Sequence, residues 1–150
     1  MSEPSDIDSD LRRLTPSVRA VFRLTSERHA LERLLTEIEL PGATTWQRGE
    51  SIASSELQRR ANGWCFEVPW QRTYMLDGPL AELLAMLAPH RETIVDAIRA
   101  LELDAHVGLH VRMYGQEVPA CFCSPASIKA VAAYQAALEV DIVPSTPPGN

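Results

Sequence analysis

From Ser17 to Thr25 the chain reads SVRAVFRLT, which puts Val18, Ala20, Phe22 and Leu24 on one side of an extended backbone and Arg19, Val21 and Arg23 on the other. A period of two is the pattern of a half-buried strand. It returns in WCFEVPW, with Trp64, Phe66 and Val68 facing one way, and in HVGLHVRMYG, with Val107, Leu109, Val111 and Met113 on one face. Separate stretches that each carry one apolar face commit the chain to a sheet, and that face must be covered by another layer.

Stripes at helical spacing supply the cover. Ser26 can cap a helix over ERHALERLLTEIEL, with Ala30, Leu31, Leu34, Leu35 and Ile38 as its apolar stripe and Pro41-Gly42 as its stop. Asp77 is the expected N-cap of a second helix, in which Pro79 occupies the tolerant first turn and Leu80, Leu83, Leu84 and Leu87 form the stripe. Pro89 should kink or split that helix before Ile94, Val95, Ile98 and Leu101 resume the pattern. Ser124-Pro125 then opens a helix running through Ala137 into a last strand, LEVDIV. The order strand, helix, strand, helix pair, strand, helix, strand predicts an α+β fold. Its expected layout is a ferredoxin-like split βαβ sheet with helices on one face and an extra helical insertion between the second and third strands. The alternative is a mixed sheet in which the long segment after the first helix adds a further strand.

A chain of 150 residues with 45% hydrophobic residues can bury one core without metal or disulfide support. The single domain is expected over 17–144. Residues 1–16 hold only isolated apolar positions, and 145–150, within PSTPPGN, cannot continue a helix or strand, so both read as flexible tails. The first twenty residues are acidic and polar, and no run of eighteen apolar residues occurs, so neither a signal peptide nor a membrane span is expected and the cytoplasm is the predicted location. The net charge of -6 speaks against nucleic acid as a partner and leaves room for a basic protein partner.

Candidate chemistry is sparse. No GxSxG, GxxxxGK[ST], HExxH or GxGxxG motif occurs. His106 and His110 lie on a predicted strand, where a four-residue spacing holds the rings roughly 13 Å apart, too far for one ion. Hence no metal site and no cofactor is expected. Cys65, Cys121 and Cys123 show no CxxC spacing and read as small buried apolar residues, although the cap at Ser124 offers a way to lower the pKa of Cys123. The outward sheet face would carry Arg19, Arg23, Glu67, His110, Arg112, Glu139 and Asp141. Arg19 and Arg23 would pair with Glu139 and Asp141 if the first strand lies beside the last.

The segment TTWQRGESIASSELQRRANGWCFEV, from Thr44 to Val68, is longer than structureless connections usually are. Trp46 and Trp64 near its ends are its natural anchors, with turns at Gly49 and Asn62-Gly63. LPGATTWQRGE, NGWCFEV, LAELLAMLAP and LEVDIV, in this order from Val18 to Val143, resemble the bacterial domain-of-unknown-function family four-two-seven-nine. The resemblance hands over no catalytic residues. It marks Arg48, Gly49, Glu50 and Trp64 as pattern positions.

Size, acidity and the missing catalytic marks predict a non-enzymatic binding or interaction protein, such as an immunity-type inhibitor of a basic protein. The alternative is an anion-binding or catalytic domain that uses the segment 44–64. The candidate binding residues are Trp46, Arg48, Gly49, Glu50, Arg59, Arg60 and Trp64, and a homodimer through the sheet face is a further option.

Overall fold

The computed structural model describes residues 12–148. Its strands are β1 (Ser17–Ser26), β2 (Thr44–Trp46), β3 (Asn62–Glu67), β4 (Gln71–Arg72), β5 (Asp104–Met113) and β6 (Ala137–Pro144). Its helices are α1 (Leu34–Glu37), α2 (Asp77–Leu87), α3 (Arg91–Leu101) and α4 (Pro125–Ala133), with a 3-10 turn at Ala88–His90. The chain is α+β, and the described strands form one sheet in the order β2-β3-β1-β5-β6, with β4 added to β1.

The alternating stretches behave as their period requires. Val18, Ala20, Phe22 and Leu24 of β1 are buried, as are Trp64, Phe66 and Val68, and Val107, Leu109 and Val111 of β5. This face packs under Leu80, Leu83, Leu84 and Leu87 of α2 and Ile94 and Ile98 of α3 in a single core. Phe22 meets the Trp64 ring edge-on at 6.2 Å and the Tyr134 ring at 5.2 Å. Pro89 does split the helical pair, through the 3-10 turn between α2 and α3.

The ferredoxin-like layout is replaced by another strand order. β1 is central and pairs antiparallel with both β3 and β5, while the last strand, β6, lies parallel to β5 and does not pair with β1. The α4 crossover makes β6 parallel to β5 in either layout; what differs is that β3 and β5 already occupy both edges of β1, so β6 takes the free edge of β5. The mixed sheet with an added strand is the layout the chain adopts. The segment 44–64 contributes β2, paired antiparallel with β3.

Two helix readings need correction. ERHALERLLTEIEL forms only the one-turn α1, because the residues that reach the core are Leu31, Leu34, Ile38 and Leu40, while Ala30 and Leu35 are exposed. Of these, Leu31, Leu34 and Ile38 keep helical spacing but Leu40 falls on the opposite side, and three core contacts give a helix of this length little packing on which to persist. Ser26 nevertheless accepts hydrogen bonds from the backbone N–H groups of Arg28 (3.2 Å) and His29 (2.9 Å). Asp77 is the first residue of α2 and not its cap; its carboxylate accepts from the Ser124 N–H at 2.9 Å, tying the start of α2 to the start of α4. Ser124 caps α4 as expected, accepting from the Ser127 N–H at 3.1 Å, but α4 ends at Ala133 and Ala137 already belongs to β6.

The expected tail 1–16 lies mostly outside the described residues, and so do the last two residues of 145–150. Residues 12–15 are held by Arg72, whose guanidinium donates to the carbonyls of Arg12 (2.8 Å), Arg13 (2.8 Å) and Thr15 (2.7 Å). Ser145 donates its N–H to the Met113 carbonyl at 2.8 Å. Among the described residues no helix is long and apolar enough to cross a membrane.

Trp64 is fully buried against Phe22. Trp64→Ala is expected to destabilise the domain by about 3 to 5 kcal/mol, whereas Leu57→Ala, on an exposed side chain, should stay within about 0.5 kcal/mol. Chemical denaturation measures both, and a wild-type midpoint for Trp64→Ala would contradict the strand register.

Candidate functional site

The second face of the sheet gathers the polar residues of four strands. Arg19 Nη1 lies 3.3 Å from Glu67 Oε2, and Arg23 Nη2 lies 4.0 Å from Glu139 Oε2. His106 Nδ1 approaches Glu139 Oε1 at 3.3 Å, and His110 Nδ1 approaches Asp141 Oδ2 at 3.7 Å. The expected pairing of Arg23 with Glu139 therefore forms, although β5 lies between their strands. It forms because the residue between them is Gly108, in register with Val21 on one side and Glu139 on the other, which leaves no side chain in the way. A Cβ at Gly108 would come within 3.0 Å of His110 Nε2. Arg19 turns to Glu67 instead, and Asp141 is left to His110.

The segment 44–64 forms one wall of this face. Beyond β2 and β3 it continues as a two-stranded ribbon: Gly49 N–H donates to Arg59 O (2.9 Å), Arg59 N–H to Glu50 O (2.8 Å) and Ile52 N–H to Leu57 O (2.9 Å). Gly49, at φ 92°, makes the turn into it. Trp46 lies flat against Gly63, where a Cβ would fall 2.0 Å from its ring, and its indole N–H donates to the Ala61 carbonyl at 3.1 Å. The Arg59 guanidinium stacks on the outer side, 4.3 Å from the Trp46 ring centroid. Arg23, Arg60, Ile52, Leu57 and His106 complete a recess of about 470 Å³.

Trp70 builds the other wall. Arg19 and Arg112 stand over its ring at 4.6 and 4.1 Å, and a recess of about 220 Å³ opens there beside His110, Asp141 and Val143. A small cavity of about 40 Å³, lined by Val21, Gly108 and Glu139, lies between the two recesses and shares Arg23 and His106 with the first and His110 and Asp141 with the second. The result is a groove with arginines at both ends and two histidines in the middle. The recess beside Trp46 has by itself the size of sites which hold small ligands.

Burial, followed by the charge of Arg19, holds the His110 imidazole below its ordinary pKa against the opposing pull of Asp141. Cys65, beneath Arg23 on β3, has its thiol pushed up to about 11 by burial and then by the charge of Glu67. Cys123 is also raised, by burial and then by Asp77, so the cap at Ser124 does not activate it. Cys121 is exposed and not a core residue. Among the described residues no group of His, Cys, Asp and Glu converges to hold a metal ion.

Of the residues singled out in the sequence, Trp46, Arg59 and Arg60 come together in the groove. Arg48 points elsewhere: its N–H donates to Asn62 Oδ1 (2.8 Å) and its guanidinium to the Glu27 carbonyl (3.5 Å). Gly49 and Glu50 serve the ribbon through their backbones, and Trp64 belongs to the core. Trp70 and Gly108 were missed. Gly108 interrupts an otherwise regular strand, which is the usual mark of a place where something approaches the backbone closely; Trp70 ends the alternating stretch WCFEVPW in phase with Trp64, Phe66 and Val68, so its pattern reads as core and not as a wall of the other face.

The family described as Domain of unknown function (DUF4279) matches the chain over residues 16–145. No curated protein and no solved structure matches it.

Two outcomes follow from this geometry. Because the folded state holds His110 below its ordinary pKa, the unfolded chain binds the extra proton first as pH falls, so stability should drop as pH falls through the ordinary imidazole range near 6.5. His110→Gln should flatten that part of a pH-dependent denaturation profile. Gly63→Ala should be destabilising because its new methyl strikes the Trp46 ring, and Trp46→Ala in the same chain should recover part of the loss. Strict additivity of the two substitutions in a double-mutant cycle would show that the ring does not rest on Gly63.

Proposed function

The chain belongs to the DUF4279 family of domains of unknown function, and from that premise we propose that it is a non-enzymatic binding protein whose sheet groove takes an anionic ligand. The observation that carries this reading is the convergence of Arg19, Arg23, Arg59, Arg60 and Arg112 on the groove, three of them stacked on Trp46 or Trp70. A guanidinium fixed over an indole loses less freedom when it binds, and its planar fork matches carboxylate and phosphate. Glu67, Glu139 and Asp141 are the acids of the same surface; Glu67 faces Arg19, and Glu139 and Asp141 each face a histidine. A basic protein, as an immunity-type inhibitor would require, meets this groove with the wrong sign. The three free cysteines suit a reducing compartment, which supports a cytoplasmic location.

Thermal-shift and calorimetric titration with inorganic phosphate, citrate and a nucleoside diphosphate tests the reading. At a ligand concentration near a hundred times Kd the stabilisation should be about 2.7 kcal/mol. Arg112→Ala and Arg59→Ala should each weaken binding about tenfold or more, as expected for a lost charge-assisted hydrogen bond, while Arg99→Ala on α3 should not. Absence of stabilisation by all three anions at low salt would count against the groove as an anion site.

A further inference from the structure

A second surface borders the groove and shares Glu139 and Asp141 with it. β6 ends the sheet, and among the described residues no strand lies beyond it. Proteins commonly blunt such edges by keeping them short. The opposite edge strand, β2, has 3 residues, whereas β6 has 8, every one of them exposed. On the helix-covered side of the sheet, in register with the buried Val107, Leu109 and Val111, stand Leu138, Val140 and Ile142 at 40, 41 and 39% exposure. On the other side stand Glu139 and Asp141. The edge therefore offers unpaired backbone groups, a row of apolar side chains and a row of acids.

Adding a strand here would bury the apolar row under the rim of the helical layer and set the new strand's alternate side chains beside the two acids. A second copy of this chain fits poorly. Antiparallel pairing about a two-fold axis centred on residue 139, 140 or 141 sets Glu139 against Glu139, Glu139 against Asp141, or Asp141 against Asp141, and like charges directly opposite are unfavourable. A strand with Lys or Arg at the positions beside the acids fits without that conflict. We propose that β6 receives an extended segment of a partner polypeptide that alternates apolar with basic residues, added as a further strand of the sheet.

The test is fluorescence anisotropy of the full chain with a labelled ten-residue peptide alternating Lys with Val and Ile. It should bind, and a peptide of the same composition with its lysines in one block should bind at least tenfold more weakly, as should one with Glu in place of Lys. Asp141→Lys and Val140→Lys, both at exposed positions, should weaken the alternating peptide at least tenfold with an unchanged unfolding midpoint. Glu92→Lys, which makes the same change of net charge on α3, and Arg112→Ala in the groove should leave it unchanged. Equal binding of the block peptide, equal weakening by Glu92→Lys, or a concentration-dependent dimer that closes the edge would each overturn the proposal.

Discussion

Phe22 is the side chain around which the two halves of the domain meet. It lies at the centre of β1, in register with Phe66 on β3 and Val107 on β5, and its ring touches both Trp64 and Tyr134. Through it, residues near the start of the domain, from the middle and from the end of α4 share one apolar contact region. Large buried aromatics contribute heavily to a core of this size. The central place of β1 follows from the same fact, since only a strand paired on both edges can have its whole apolar row covered.

The same strand explains why the groove is polar yet structured. Its period of two sends Arg19 and Arg23 to the face opposite Phe22, where they meet acids from β3 and β6. Each exposed pair contributes little to stability by itself. Their larger effect is positional: stacking on tryptophan and pairing with carboxylate hold long side chains in place along a surface with a bare glycine at its centre. Val21, the apolar residue of β1 on that face, is buried and lines the small cavity between the two recesses.

What could be read from the sequence was whatever depends on local period. The apolar rows of β1, β3 and β5, the stripes of α2 and α3, the break at Pro89 and the Ser124 cap were legible because each is encoded within a few neighbouring residues. The strand order was not, because pairing partners are set by tertiary packing. The helix expected after Ser26 failed for a related reason: its leucines match a helical stripe, but the core selects Leu31, Leu34, Ile38 and Leu40. The ribbon at 49–59 carries no alternation, since it is mostly exposed and held by backbone hydrogen bonds that any side chain permits. Trp46 and Arg59 were visible as candidates; their stacking was not, because it depends on the ribbon.

The central position of β1 also sets a timetable for biosynthesis. Its partner β5 lies far along the chain, with Ser17 paired to Arg112. At about 5 to 20 residues per second, β1 leaves the ribosome several seconds before β5 exists. During that interval β3 is the partner within reach, and the hairpin-like pair they form leaves one edge of a strongly apolar strand open. Such long-range pairing slows folding and prolongs the exposure of strand edges. The nascent chain thus passes through a period in which its central strand is half-paired.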